Sequence, residues 1–162
     1  MVEESGTWIK LEQLLRQIDF YMEQNTRRYL ALKGITYPRF ISLIEIHFNP
    51  GLSLTELYEK MCVTLSTVSS LTDQLVNNGL LSRERRTDDR RLIELSLTQK
   101  GCELIRDVFK YRYSLIRNIL EEMSSEDTCN LIKIMDEIVS HIYITGMAKS
   151  QSSNEDVDNN GI

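Results

Sequence analysis

A mainly α-helical fold carrying one small β-hairpin is what this sequence predicts, and three features carry the prediction. Two long segments near the chain's ends repeat apolar residues at spacings of three and four, the period of an amphipathic helix. Between them, residues 52–101 hold two short helical stretches parted by a tight break, then a helix stop at Asn78 and Gly79. Two arms around a charged tip follow. Helix, turn, helix and hairpin in that order make a winged helix-turn-helix, here flanked by long N- and C-terminal dimerisation helices.

Composition narrows the class. With 162 residues, 41% of them hydrophobic, the chain has enough apolar material for a real core. The N-terminus MVEESGTWIKLEQ is acidic where a signal peptide is basic, and no run approaches the roughly 18 apolar residues of a membrane span. The chain therefore reads as cytoplasmic, with no membrane partner. Cys62, Cys102 and Cys129 lie far apart without CxxC spacing, and His47 and His141 are isolated, so neither a metal site nor a disulfide framework is indicated. No nucleophile–base pair or phosphate loop is present, and neither an enzyme nor a cofactor is expected.

The formal net charge of −5 is uneven along the chain. Residues 1–52 hold six basic and six acidic side chains, 53–101 seven and seven, and 102–162 six and eleven, so the excess acid is C-terminal. Within residues 82–91, five arginines face Glu84, Asp88 and Asp89, a local +2 on one short hairpin. Local charge is what a phosphate backbone meets, because fields fade over about 8 Å at physiological salt.

The elements follow in order. Trp8, Leu11, Leu15, Ile18, Met22 and Tyr29 form the stripe of a helix over residues 7–32, with Gly34 in the left-handed position that stops it. A stripe this long needs a partner surface. Pro38 suits the first residue of a second helix, and Phe40, Ile41, Leu43, Ile44 and Phe48 make that helix central to the core. Asn49, Pro50 and Gly51 turn the chain. Ser53 with Glu56 three residues later is a capping-box pattern opening a short helix that bears Leu54, Leu57, Tyr58 and Met61. After a turn at 62–64, Thr64 caps a third helix with Leu65, Val68, Leu71, Leu75 and Val76 on one face. Its opposite face is Ser66, Thr67, Ser69, Ser70, Thr72, Asp73 and Asn77. The hairpin arms are 80–86 and 92–97. Thr98 caps a long helix to about Met123, and residues 124–127 cap a last one bearing Leu131, Ile134, Met135, Ile138, Ile142 and Tyr143. From Lys149 the polar composition predicts disorder.

The face at 66–72 is short, polar and uncharged, whereas solvated helix faces usually carry Lys and Glu. Hydroxyls at the first two turns allow close approach to a duplex, donating to phosphates or reading groove edges, while threonine methyls can meet a thymine methyl. The helix N-terminus adds backbone donors. Arginines at the hairpin tip suit an adjacent minor groove, with Asp88 or Asp89 able to hold one in place. The candidate DNA-binding residues are Ser53, Thr64, Ser66, Thr67, Ser69, Ser70, Thr72, Arg83, Arg86, Asp89, Arg90 and Arg91.

At this point the sequence resembles a known family. TYPRFISLI, LSLTEL, STVSSLTDQLVNNGLL and above all DDRRLIELSLTQKG, within residues 36–101, are similar to the multiple-antibiotic-resistance regulator (MarR) family of transcription factors. The resemblance implies an N-terminal dimerisation helix at 1–35, a DNA-binding domain at 36–101, C-terminal dimerisation helices at 102–148 and a tail at 149–162. It implies a homodimer on a pseudo-palindromic operator of double-stranded DNA, with Ser66, Thr67, Ser69 and Ser70 toward the major groove, Arg90 or Arg91 in the minor groove, and Asp89 orienting the wing. It also implies a repressor released by a small aromatic or phenolic effector, for which Trp8, Tyr37, Phe40 and Phe48 are the candidate lining. The first helix lacks the cysteine of the family's thiol-oxidation branch, which leaves Cys62 as the candidate redox residue. The alternative reading is a winged-helix protein-interaction module without specific DNA binding.

Overall fold

The computed structural model describes residues 2–85 and 93–155, with side chains from 6 to 84 and from 93 to 143. Two units divide the chain, Met1–Ile116 and Arg117–Ile162.

In the first unit, helix α1 (Val2–Leu32) starts earlier than the expected residue 7, because no Pro lies between Val2 and Thr7 and the single Gly6 there costs a helix only about 1 kcal/mol. It stops as foreseen: Gly34 takes φ 69, its N–H reaches the Ala31 carbonyl at 3.1 Å, and the Ile35 N–H reaches Leu30 at 3.0 Å. Helix α2 (Tyr37–Phe48) carries Pro38 in its first turn and buries Phe40, Leu43 and Ile46. Stacked Tyr29 and Tyr111 rings, 4.3 Å between centroids, and an Arg112 bond to the buried Thr26 hydroxyl at 2.9 Å tie the C-terminal half of α1 to the segment around residues 111–112. In the N-terminal half of α1, Trp8 is 67% exposed.

Helix α3 (Leu54–Met61) opens on a full capping box: the Glu56 N–H donates to Ser53 Oγ at 3.2 Å and the Ser53 N–H donates to Glu56 Oε2 at 2.7 Å. The chain turns at Cys62, whose φ of 51 is left-handed. Helix α4 (Leu65–Asn77) is capped by Thr64, which accepts from the Thr67 N–H at 3.3 Å, and it buries Val68 and Leu75. Leu65, expected on the apolar face, is 51% exposed; it is the first residue of α4, one turn before the buried Val68. Gly79 ends α4 at φ 68, as Gly34 ends α1.

Strands β1 (Leu81–Arg85) and β2 (Ile93–Leu97) pair antiparallel, Leu81 with Leu97 and Arg83 with Leu95. Leu52 adds an edge to the pair, its carbonyl accepting from the Leu95 N–H at 3.0 Å. Thr98 then joins three elements: its hydroxyl donates to the Gly79 carbonyl at 2.7 Å and accepts from the Gly101 N–H at 3.1 Å, starting helix α5 (Gln99–Leu120). One core, including Leu30, Leu43, Leu57, Val68, Leu75, Leu95 and Ile105, joins all of these elements.

The second unit contains helix α6 (Ser125–Glu155), which Ser124 caps by accepting from the Asp127 N–H at 3.0 Å. Helix α6 runs to Glu155, into the stretch from Lys149 for which disorder is expected, and residues 156–162 of that stretch lie outside the described residues.

Candidate nucleic-acid interface

The outward face of α4 begins with hydroxyls. Thr64, Ser66, Thr67 and Ser70 are exposed and Ser69 is half-buried. Thr64 Oγ1 lies 3.0 Å from Ser66 Oγ and 2.8 Å from Thr67 Oγ1, so three hydroxyls share hydrogen bonds at the helix start. Gln74 donates to Ser70 Oγ at 3.2 Å one turn further on. From Thr64 to Ser70 no side chain is charged, which leaves the short hydroxyls and the helix N-terminus as the features a ligand meets.

Two of the expected contact residues are not on this face. Thr72 is fully buried: its hydroxyl lies 2.9 Å from the Val68 carbonyl and 3.0 Å from that of Ser69, and it also accepts from Arg83. Helical spacing placed it beside Ser69, but β1 covers that flank of α4. Ser53 is buried at 5% exposure and its side chain and N–H are both used by the α3 cap. Arg83 turns back on α4 and holds Asp73 at 2.5 Å. The other expected wing residues, Arg86, Asp89, Arg90 and Arg91, lie outside the described residues.

Of the four aromatic residues expected to line an effector site, Tyr37 and Phe40 are neighbours, with ring centroids 6.5 Å apart, while Trp8 and Phe48 have other surroundings. Phe40 is core at 3% exposure, whereas Trp8 sits on α1 among Leu11, Leu15 and Arg16. Tyr37 lies under the Arg27 guanidinium, 4.5 Å from ring to carbon, and burial followed by the nearby Glu23 charge raises its hydroxyl above the usual pKa of 10.0. Phe48 is 66% exposed and packs with His47 and Phe109. Beside that aromatic group, between α2 and α5, is a cleft of about 630 Å³ whose lining includes His47, Arg106, Phe109, Lys110 and Tyr113. Reading α5 for its apolar stripe alone hides this cleft; the signal was Arg106 and Lys110 interleaved with Phe109 and Tyr113 at spacings of three and four.

Among the described residues no group of His, Cys, Asp or Glu is placed to hold a metal ion, and no helix is long and apolar enough to cross a membrane. Cys62 is exposed and unpaired with another cysteine.

Comparison with known proteins agrees with this geometry. Residues 35–93 match the sequence profile of the MarR family. The chain is 28% identical over 132 residues to the uncharacterized HTH-type transcriptional regulator YsmB of Bacillus subtilis, covering 79% of this chain and 90% of that one. It is 27% identical over 138 residues to the HTH-type transcriptional repressor YetL of the same organism, covering 83% of each. In structure it is similar to a MarR family protein from Bacillus stearothermophilus, with a TM-score of 0.78 and 29% identity over 86% of this chain and 97% of that one. Residues 35–93, which hold the helix-turn-helix and run to the start of β2, thus carry a domain of the MarR family, and the chain as a whole is similar to that family's regulators.

Proposed function

We propose that this chain is a transcriptional repressor that binds double-stranded DNA as a homodimer on a pseudo-palindromic operator. The observation that carries the reading is the uncharged hydroxyl face of α4, held outward by the Thr64 cap while Val68 and Leu75 anchor its other side. Such a face can approach a duplex closely and donate to phosphates and base edges. The wing arginines would add groove contacts. The names of its relatives, HTH-type regulator and HTH-type repressor, support the same class.

The test is selection of bound sequences from random duplexes, followed by titration of the selected site against salt. A dimeric operator binder yields two related half-sites about one helical turn apart, and its affinity falls with a log–log slope of roughly −0.9 per phosphate neutralised. Weak binding that ignores salt and selects nothing would favour a protein-interaction module instead.

An effector reading has its own support in the cleft beside His47, where Arg106 and Lys110 supply positive charge next to Phe109 and Tyr113. This lining suits a flat, anionic aromatic molecule better than the set Trp8, Tyr37, Phe40 and Phe48, in which Phe40 is core and Phe48 packs with Phe109. Benzoate-type acids titrated into the protein–duplex complex would release the DNA, and Arg106→Ala together with Tyr113→Ala would abolish that release while leaving duplex binding intact.

A further inference from the structure

We propose that Arg83 acts as a positioning residue: through Asp73 and Thr72 it fixes α4 on the wing strand and neutralises the carboxylate on that helix, without itself touching DNA. The inference rests on the reading of α4 as the element that meets a duplex. An arginine that binds phosphate holds its fork outward, but this one has committed its fork inward. Nη1 donates to Asp73 Oδ1 at 2.5 Å, Nη2 donates to Thr72 Oγ1, and Nε is buried with no hydrogen-bond partner among the described residues. The Arg83 side chain is 27% exposed.

Donor accounting agrees with the assignment. The Thr72 hydroxyl places its proton on the carbonyl of Val68 or Ser69, so its oxygen is free to accept from Arg83. Thr72 is fully buried, which leaves it no water to replace that arginine. Two adjacent residues of α4 are therefore held by one planar group from β1, and Ser69 and Ser70 lie within the preceding turn of the same helix.

Asp73 gives the clamp its second effect. It is the acidic residue of α4, and its side chain is 53% exposed on the helix that carries the hydroxyl face. A bare carboxylate there repels phosphates, while one paired with a guanidinium presents no net charge. The pair is part-exposed, so its contribution to folding is small; its consequence is for the geometry and charge of the recognition surface.

The experiment uses the full chain, a duplex selected by the wild type, and the variants Arg83→Ala, Arg83→Lys, Asp73→Asn and Asp73→Asn with Arg83→Ala. Arg83→Ala is expected to weaken binding roughly tenfold, the scale of one charged hydrogen bond, with the salt slope unchanged. Adding Asp73→Asn recovers part of that loss, because the unneutralised carboxylate is gone. Arg83→Lys, which keeps the charge but cannot fork to Thr72, falls between. Amide exchange of the free protein, which needs no DNA, speeds up in β1 and the second half of α4 when Arg83 is removed, while α2 keeps its protection. A salt slope shallower by about 0.9 per protomer, with the same loss in the Asp73→Asn background, would make Arg83 a phosphate contact and overturn the proposal. Unchanged exchange would overturn it too. Should the wild type select no duplex, the DNA-binding reading falls by itself, and exchange still decides whether Arg83 clamps α4 to β1.

Discussion

At Gly101 an added Cβ would lie 2.3 Å from the Leu80 carbonyl oxygen and 3.2 Å from Leu97 Cδ2. That oxygen already accepts the Thr98 N–H at 3.1 Å, so it cannot retreat without undoing the start of α5. Gly101→Ala is expected to cost about 1–3 kcal/mol, the range for forcing extra atoms into a packed site, read as a lower denaturant midpoint. Ser53 and Ser66 make a second contrast, since both are serines near a helix start. Ser53→Ala removes a buried cap and should cost about 1 kcal/mol of stability while leaving the salt slope of duplex binding in place. Ser66 is exposed, so Ser66→Ala should leave the unfolding midpoint nearly unchanged and lower duplex affinity. Single residues of this kind were unequally legible in the sequence. Ser53 followed by Glu56 announces its cap, because reciprocal capping needs that spacing. The burial of Thr72 was not legible, because angular position on a helix does not say which strand will lie against it. For Arg83 the charge was visible in the sequence, and the direction of its fork was not.

On the scale of elements, α4 offers a substitution whose effects on folding and binding oppose one another. Thr64 is the N-cap and Thr67 the third helical residue, so Thr67→Glu would recreate on α4 the box that Ser53 and Glu56 build on α3. It also places a negative charge beside the positive end of the helix dipole, worth about 0.3–1 kcal/mol. The variant is expected to unfold at higher denaturant and yet to bind a selected duplex at least tenfold more weakly, since the same carboxylate would face phosphates. A variant that gained stability and kept its affinity would move the DNA-contacting face away from α4. Elements themselves were largely legible. Gly34 and Gly79 mark true stops at φ 69 and 68, and the alternation from Ile93 to Leu97 marks β2. What periodicity could not supply was the environment of each apolar face. Phe40 and Phe48 share α2, yet one is core and the other open beside His47 and Phe109. The cleft there depends on α5 meeting α2, a contact between positions some sixty residues apart in the chain.

For the whole molecule, the decisive quantity is apolar surface left uncovered. Along α1, Trp8, Leu11, Leu15 and Ile18 are exposed at 67%, 41%, 46% and 60%. In the second unit, Ile134, Ile138 and Ile142 of α6 are likewise exposed. Single exposed apolar residues are ordinary, but repeated rows at helical spacing exceed what a monomer leaves in water. A second copy is the economical cover, because a two-fold arrangement buries the same rows on both chains at once. The paired substitution Leu15→Glu with Ile18→Glu tests this without entering the core, since neither residue belongs to the buried cluster of the first unit. Wild-type chain is expected to sediment as a dimer at micromolar concentration and the double variant as a monomer with unchanged helix content. Because two linked recognition helices gain affinity from their shared frame, the monomer should also bind a two-half-site duplex far more weakly, with about half the wild-type salt slope. Half the slope follows from one protomer neutralising only its own phosphates. A variant that stayed dimeric would place the interface off this stretch of α1, and a monomeric wild type that still bound both half-sites would remove the dimer from the mechanism.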